Sequence, residues 1–375
     1  MGDSLLDALE DICGPGFARP ARSTDQVSGR RAGFVAEPAT ARSVAETLRL
    51  AADRGLSFLP RGSGSKIDWG TPRQAIELIV DTARLNGMWN HDGSTAVIAA
   101  GTPVAAVQAA LALRGQRLAV DPPSAKATIG GMLAVNESGP LRHRYGSPAT
   151  QTLSIDFVDA AGVEGSSDGE DGRPGIADID GVITSAVLRL EPQPAARRWV
   201  GRAVSTPTEA SELAAWVVAR ELEPSAIEVD LPGRDGAMLA MLLEGEVDVV
   251  NQVADEVVRE WGGDTVIAPV APPWWGRYPF GGGDVVLRIA ARPRDLQAVA
   301  YALRDSAGAP VPLRGSAGVG TFHAVLPRGL SAVRVNEIVA SMEQVLLARR
   351  GRVAVLTAPP ELASEIEMAG PRELF

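Results

Sequence analysis

The sequence has one cysteine and no long apolar run. Cys13 stands alone among 375 residues, which excludes an internal disulfide, a cysteine-rich zinc site and a cysteine-held iron–sulfur cluster. No apolar run approaches the ~20 residues needed to cross a bilayer, and residues 1–20 carry acids where a signal peptide needs bases. These absences predict a cytoplasmic protein that reaches a membrane only through partners.

Positive charge is also in deficit. Lys and Arg number 36 against 46 Asp and Glu, for a formal net charge of −10. Such an excess repels nucleic acid and anionic membranes, although a local basic pocket can still bind a small anion. Hydrophobic residues make up 45% of the chain and charged residues 22%, which predicts an ordered protein, and the length predicts two or more packed units.

Periodicity predicts elements along most of the chain. Residues 1–33 are interrupted by glycine and proline, so no long element is expected there, whereas Thr40 is expected to cap a helix that ends near Asp53. The second half alternates helices and strands, which predicts a sheet with helices on one face. Strands are expected at 76–80, 95–100, 117–120, 152–158, 182–190, 226–229, 284–290, 321–326 and 352–356, helices at 208–221, 247–261, 294–304 and 331–348, and an exposed acidic loop at 165–180.

The first candidate binding motif follows a predicted strand and reads Arg-Gly-Ser-Gly-Ser-Lys over residues 61–66. Alternating glycines allow successive N–H groups to form a concave site for phosphate oxygens, and Arg61 and Lys66 add positive charge. The spacing matches neither the Walker loop nor G-x-G-x-x-G. By itself the motif also fits a plain glycine turn.

A second motif reads Ala-Thr-Ile-Gly-Gly over residues 127–131 and is followed by Ser138-Gly139 and Arg144-Tyr145-Gly146. Threonine before paired glycines suggests a helix start whose free N–H groups a ligand can approach. The alternative is a short buried helix whose glycines allow close packing, and for this motif alone we prefer that alternative.

The remaining residue patterns give weaker evidence for a functional site. The three histidines are far apart in sequence and lack metal-ligand spacing, so no metal site is predicted. Residues 165–169 match G-x-S-x-G, the hydrolase nucleophile elbow, which would make Ser167 a nucleophile. That elbow requires a strand before the serine and a helix after it, and here an acidic loop follows.

Taken in order, these motifs resemble the FAD-binding domain of the vanillyl-alcohol-oxidase/PCMH flavoprotein family, and in particular the FAD-binding E subunits of bacterial glycolate oxidases. The resemblance spans residues 34–192 and continues weakly at 274–280 and 314–327. It implies an α+β fold with an N-terminal segment at 1–33, an FAD-binding PCMH-type domain at 34–192 and an α/β cap domain at 193–375.

The resemblance also implies roles for individual residues. The loop from Arg61 to Lys66 would bind the FAD pyrophosphate, and Trp275, Arg277 and Tyr278 would face the substrate, with Arg277 able to bind a carboxylate. His323 is a candidate base near the flavin, although a strand-edge histidine without a catalytic role is the preferred interpretation. The implied FAD-binding residues are Arg61, Gly62, Ser63, Gly64, Ser65, Lys66, Asp121, Pro122, Ala127, Thr128, Ile129, Gly130, Gly131, Ser138, Gly139, Arg144, Tyr145, Gly146, Gly181, Val182 and Ile183.

The implied activity is FAD-dependent oxidation of a small 2-hydroxy acid such as glycolate or lactate, in a hetero-oligomer with a catalytic flavin subunit and an iron–sulfur subunit. Two departures from the family favour an alternative. The segment before Gly181 has shrunk to residues 165–180, with Asp178 and Asp180 where a glycine-rich turn is expected, and the family's C-terminal segment is missing. The alternative is a structural or assembly subunit with this fold that has lost catalysis or FAD.

Overall fold

The computed structural model describes residues 2–72, 75–168, 180–234 and 236–369. Its N-terminal region, up to residue 192, contains short helices and three small sheets, and a short hairpin near residue 28. The elements are α1 (Gly2–Cys13), β1 (Ala18–Pro20), β2 (Gln26–Val27), β3 (Arg30–Arg31), β4 (Phe34–Ala36), α2 (Ala41–Asp53), β5 (Phe58–Arg61), β6 (Leu78–Asp81), β7 (Met88–Trp89), β8 (Thr95–Ala99), α3 (Val104–Ala112), β9 (Gln116–Arg117), α4 (Ile129–Ala134), α5 (Arg142–Tyr145), α6 (Pro148–Gln151), β10 (Thr152–Asp159), β11 (Glu164–Ser167), β12 (Gly181–Arg189) and β13 (Glu191–Pro192).

Two of these sheets build the N-terminal core. In the order β1-β4-β6-β5 the last three strands are parallel, so the loops that follow β5 and β6 emerge at the same edge. The second sheet is antiparallel, in the order β11-β10-β12-β8-β7. Helix α2 packs Val44 and Leu48 against one face of it, and α3 and α4 cover the other. The loop after β5 lies against the start of α4, since a Cβ on Gly62 would be 2.2 Å from Thr128 Oγ1.

The C-terminal region contains one eight-stranded antiparallel sheet in the order β17-β14-β16-β15-β19-β20-β18-β21. Its elements are β14 (Ala196–Ala203), α7 (Pro207–Ala219), β15 (Ala226–Leu231), β16 (Met238–Gly245), α8 (Val247–Trp261), β17 (Val266–Ala268), β18 (Val286–Ala290), α9 (Leu296–Ala307), β19 (Leu313–Ser316), β20 (Thr321–Val325), α10 (Ala332–Leu347), β21 (Arg352–Thr357) and α11 (Pro360–Ala363).

The two faces of this sheet meet different neighbours. Alternate residues such as Ile227, Leu287 and Phe322 pack against α7, α8, α9 and α10 and form the largest core of the protein. The opposite face lies on the N-terminal region, where Ala226 and Leu242 contact Leu141. The predicted layer of helices on one face is confirmed, and the other face is left to line a site between the two regions.

Several sequence predictions need correction. Residues 2–13 form α1, because Leu5, Leu9 and Cys13 recur at helical spacing and pack against α2. The loop predicted at 165–180 begins instead as an edge strand, which spans residues 164–167 and ends at Ser167. Residues 169–179 of that predicted loop lie outside the described residues. The strand expected at 117–120 is only β9, and β14, β16, β17 and β19 were not predicted. No helix among the described residues is long and apolar enough to cross a membrane.

Candidate active site

The loop at residues 62–66 lies at the open edge of the parallel sheet, directly after β5. Gly64 adopts the left-handed conformation, with φ +73°, which glycine tolerates without strain. Within the described part of the chain, no protein acceptor bonds the N–H groups of Ser63, Gly64 or Ser65, and both serines are exposed. These groups are available to an anion, as the motif predicts.

Arg61, at the base of this loop, is already paired with two carboxylates. Its Nη1 donates to Asp25 Oδ1 at 2.8 Å and its Nε to Asp81 Oδ2 at 2.8 Å. Asp25 also accepts from Arg19 at 2.6 Å, and these two arginines hold the pKa of Asp25 well below its usual range. The guanidinium therefore fixes the start of the loop, and its charge is largely compensated within the protein.

Lys66, at the end of the loop, points inward. Its ammonium pairs with Glu137, a fully buried residue, and Glu137 Oε1 accepts a hydrogen bond from the Tyr278 hydroxyl at 2.8 Å. Burial lowers the pKa of Lys66, and burial together with Glu137 raises the pKa of Tyr278 well above its usual value. This chain of contacts connects the loop to the segment of residues 274–280 in the C-terminal region.

The Ala-Thr-Ile-Gly-Gly motif forms the start of α4, and its N–H groups are not free. Ile129 N–H donates to Thr102, Gly130 N–H to Ala100, and Gly131 N–H to the capping Thr128 Oγ1. These N–H groups are not open to a ligand, because two of them bind carbonyls of the segment after β8 and the third binds the cap of α4. The buried helix that we preferred for this motif is what the structure contains.

The other implied FAD-binding residues separate into two groups. Asp121, Pro122, Ser138 and Gly139 are near the interface between the regions: Pro123 and residues 138–140 line the interface cavity, and Asp121 accepts the Leu141 N–H at 3.1 Å. Burial raises the pKa of Asp121 to about 8. Outside the cavity lie Ala127, Arg144, Tyr145, Gly146, Gly181, Val182 and Ile183, of which Ala127, Val182 and Ile183 are buried in the N-terminal core.

A cavity of about 60 Å³ lies between the N-terminal region and the exposed face of the large sheet. Three segments enclose it: residues 138–142, the loop around Arg277 and Tyr278, and strands β15, β19 and β20. The lining is polar for an interface, since it combines arginines, hydroxyls, a carboxyl and an imidazole. It contains Ser138, Arg142, Glu228, Arg277, Tyr278, Arg314, Ser316, Thr321 and His323.

His323 lies on β20 in the middle of the sheet, so the expectation of a strand-edge position is wrong. It faces the cavity between Arg314 and Arg288, its cross-strand neighbours, and its buried Nε2 has no hydrogen-bond partner among the described residues. Burial, aided by the charge of Arg288, lowers the pKa of His323 to about 3. The ring is therefore neutral, and Tyr278 contacts it edge-on, with ring centroids 5.1 Å apart.

Arg277, the other predicted catalytic residue, lies at the mouth of the cavity. It is exposed, and its carbonyl accepts from Arg314 Nη1 at 3.4 Å. Arg314 in turn donates to both carboxylate oxygens of Asp230, at 2.9 and 3.1 Å. The structure thus brings Arg277 and His323 to one cavity, with Arg277 on the solvent side.

Sequence reasoning missed Glu228, a buried residue of β15 that lines the cavity opposite Ser316. Its Oε1 has no hydrogen-bond partner among the described residues. Burial, together with the charge of Asp121, raises the pKa of Glu228 to about 8, so this carboxyl is largely protonated at pH 7. One sequence signal could have indicated Glu228. It is an acidic residue within a predicted strand, and the residues on either side of it, Ile227 and Val229, are apolar and point to the core.

The raised pKa of Glu228 makes stability depend on pH. Between about pH 4.5 and pH 8 the folded protein retains a proton that the unfolded chain has released, so this residue lowers stability as pH rises through that window. Glu228→Gln cannot ionise, so we expect it to become more stable relative to the wild type from pH 5 to pH 8, by at most about 1.4 kcal/mol per pH unit.

Thermal or urea unfolding of Glu228→Gln across pH 5–8 measures this effect. Glu343→Gln, at an exposed position of α10, is the matched control for removing one glutamate carboxyl. A flat difference for Glu228→Gln would show that Glu228 is ionised in the folded protein.

Comparison with known proteins gives the family of the N-terminal region. Residues 32–164 match the family described as an FAD binding domain. Glycolate oxidase subunit GlcE of Escherichia coli (strain K12) is 31% identical over 214 residues, 50% of this chain and 59% of that protein. D-lactate dehydrogenase of Archaeoglobus fulgidus is 27% identical over 207 residues, 52% of this chain and 46% of that protein. The chain thus spans about half the length of these relatives.

Solved structures extend the likeness to the whole fold. The structure of p-cresol methylhydroxylase with substrate bound has a TM-score of 0.71 at 13% identity, covering 97% of this chain and 91% of that one. An alkyldihydroxyacetonephosphate synthase has a TM-score of 0.70 at 18% identity, covering 93% and 81%. The predicted α+β PCMH-type fold with a cap is confirmed, and the family match confirms FAD as the cofactor.

The described residues fit FAD. The unbonded N–H groups of residues 63–65 suit its pyrophosphate. Gly62 lets this loop lie directly on α4, since a Cβ there would be 2.2 Å from Thr128 Oγ1. Lys66, at the end of the loop, pairs with Glu137, which accepts a hydrogen bond from Tyr278. Tyr278 in turn lines the cavity that contains the orphaned Nε2 of His323 and Oε1 of Glu228.

Proposed function

We propose that this chain, whose residues 32–164 form an FAD-binding domain, oxidises a small 2-hydroxy acid and passes the electrons to a partner subunit. The observation that carries the proposal is the interface cavity. There a neutral His323 and a protonated Glu228 each present an unpaired polar atom beside the FAD-binding domain. The printed names of the two relatives, a glycolate oxidase subunit and a D-lactate dehydrogenase, support this substrate class.

FAD, when bound, supplies the hydride acceptor. The protein's own residues would handle the proton and the orientation of the substrate. His323 Nε2 would accept the hydroxyl proton of the acid, and Glu228 would donate a hydrogen bond, because its carboxyl retains its proton. Burial and, after it, the charge of Arg288 lower the pKa of His323. A bound carboxylate nearby would oppose the charge of Arg288, raise this pKa and make the imidazole a better base.

The cavity walls would control access of water. Tyr278 and Phe280 pack against His323 with ring centroids 5.1 and 5.8 Å away, and Tyr278 is held by its hydrogen bond to Glu137. These two aromatic rings would keep water away from the reacting atoms. Electrostatic interactions in the cavity are stronger when water is excluded. Electron transfer to a second chain is proposed because the relative from Escherichia coli is itself a subunit.

We expect the purified protein to bind FAD in near-stoichiometric amount and to lose its flavin absorbance when glycolate or D-lactate is added without oxygen. An artificial electron acceptor should then restore the oxidised spectrum and support turnover. His323→Asn, which keeps a polar side chain but offers no comparable base, should slow flavin reduction by 100-fold or more, while FAD content stays unchanged.

Two results would contradict the proposal. A protein that binds FAD but is not reduced by any small 2-hydroxy acid would favour the alternative of an assembly subunit that has lost catalysis. Reduction at the wild-type rate in His323→Asn would show that the acid is oxidised elsewhere or by a different base.

A further inference from the structure

Two arginines flank His143 at the edge of the interface, and they have opposite environments. Arg144 is exposed and donates to the Glu244 carbonyl at 3.5 Å, outside the cavity. Arg142 is half-buried and lines the cavity. Among the described residues, no carboxylate, carbonyl or hydroxyl accepts a hydrogen bond from the Arg142 guanidinium, and burial lowers its pKa. Arg142 is thus a desolvated cation without an acceptor.

The carboxylates near the cavity do not neutralise this cation. Asp230 is occupied by both guanidinium contacts of Arg314, and Glu137 by Lys66 and Tyr278. Glu228 lines the cavity but is largely protonated at pH 7. A second arginine, Arg288, adds to the positive charge, because burial and the charge of Arg142 lower its pKa only to about 10.

A partly desolvated guanidinium without a partner is costly, and a ligand that supplies the missing charge recovers that cost. The planar guanidinium fork matches a carboxylate, which accepts two parallel hydrogen bonds from it. Chloride or phosphate would match the positive charge of Arg142. A small carboxylate matches this charge and also the size and the hydroxyl groups of the cavity, which has a volume of about 60 Å³.

We propose that Arg142 binds the carboxylate of the substrate, and that this contact makes the site specific for small acids over the corresponding alcohols. The proposal rests on the proposed function. It assigns the contact to the FAD-binding domain, whereas the exposed Arg277 stands at the cavity mouth. With the carboxylate on Arg142, the hydroxyl of the same small molecule remains for His323, which lines the same cavity from the sheet.

The test is calorimetric binding of oxalate, a carboxylate that cannot donate a hydride, to the FAD-loaded protein. Arg142→Met is expected to raise the oxalate Kd about 100-fold, and Arg142→Lys, which keeps the charge but not the fork, about 10-fold. Arg42→Met removes one charge from an exposed position of α2 and should change the Kd by less than 2-fold. FAD content and melting temperature establish that each variant is folded.

Activity supplies an independent readout. In the wild type, glycolate should be oxidised at least 100-fold more efficiently than ethylene glycol, in terms of kcat/KM, and Arg142→Met should lose most of this preference through a higher KM for glycolate. If Arg142→Met does not fold, the Arg142→Lys result decides. An unchanged Kd in either folded variant, or no oxalate binding by the wild type, overturns the inference.

Failure of the proposed function has a different signature. If the wild type binds oxalate through Arg142 but no 2-hydroxy acid reduces the flavin, the carboxylate site stands and the oxidation proposal falls. If glycolate is oxidised with the same KM by the wild type and Arg142→Met, oxidation stands and the role of Arg142 falls.

Discussion

Replacing Arg117 with Met is expected to lower the free energy of unfolding by about 3 kcal/mol, because it leaves a buried carboxylate without its main partner. Arg117 donates to both oxygens of Glu244, at 2.6 and 2.9 Å, and the two side chains are 5% and 2% exposed. The pair joins β9 of the N-terminal region to β16 of the large sheet. Among the described residues, the half-exposed Arg197 is the one ionic partner of Glu244 that would remain.

Urea unfolding followed by tryptophan fluorescence and by far-UV circular dichroism measures this loss. Coincident transitions in the wild type that separate in Arg117→Met would show that the pair holds the two regions together. Arg292→Met, which breaks a partly exposed ion pair with Asp295, is the control and should cost less than about 1 kcal/mol.

The double variant Arg117→Met/Glu244→Leu removes both charges, so it should regain much of the lost stability. A loss below about 1 kcal/mol in Arg117→Met would contradict this account. The pH dependence has a definite sign. Despite burial, which raises it, the pKa of Glu244 is lowered by Arg117. Its contribution is therefore present above the usual glutamate pKa and is lost as pH falls through the folded pKa.

The elements that sequence predicts well are those whose signals are local. Helix α2 begins after Thr40, whose side chain accepts the Ser43 N–H, and α8 has the predicted bounds, Val247–Trp261. Both helices have one apolar face, and α2 also has a capping threonine, whereas Glu246 before α8 makes no capping hydrogen bond. Helix α1 has its own apolar spacing, but the glycines and prolines that follow it suggested an interrupted segment.

Strands β14 and β16 were missed because tertiary contacts on both faces determine them. Strand β14 alternates buried Val200 with Arg197 and Trp199, and the latter two face the N-terminal region. Strand β16 is buried along most of its length, so its sequence lacks the alternation that marks a half-exposed strand. Their positions follow from the interface, which no short segment encodes.

The same limit applies to the site. The loop at 61–66 could be read from the chain. The family resemblance pointed to Arg277 and His323, although a histidine without a catalytic role was the preferred interpretation. The compensation of Arg61 could not, because its partner Asp25 is 36 residues away. Nor could the sequence distinguish Arg142 from Arg144, two residues apart, of which only Arg142 lines the cavity.

Gly62→Ala is expected to weaken FAD binding about 100-fold and to lower the free energy of unfolding by about 1–3 kcal/mol through overpacking. A Cβ at this position would lie 2.2 Å from Thr128 Oγ1, so the loop must move away from α4. Thr128 cannot simply rotate, because its Oγ1 accepts the Gly131 N–H that caps the helix. The N–H groups of residues 63–65 would then lose their alignment toward the FAD pyrophosphate, and each charge-assisted hydrogen bond lost costs about 1.5–3 kcal/mol.

Fluorescence titration of the apoprotein with FAD measures this effect, and the second variant Thr128→Ala identifies its cause. Removing Oγ1 leaves the nearest Thr128 carbon 3.3 Å from the new Cβ, so Gly62→Ala/Thr128→Ala should bind FAD about 10-fold more tightly than Gly62→Ala. Thr128→Ala alone should cost about 1 kcal/mol through its lost cap. Gly282→Ala, where no atom lies within 4 Å of the new Cβ, is the matched control. A wild-type FAD affinity in Gly62→Ala would mean that FAD does not contact this loop, because the clash with α4 leaves the loop no way to keep its position.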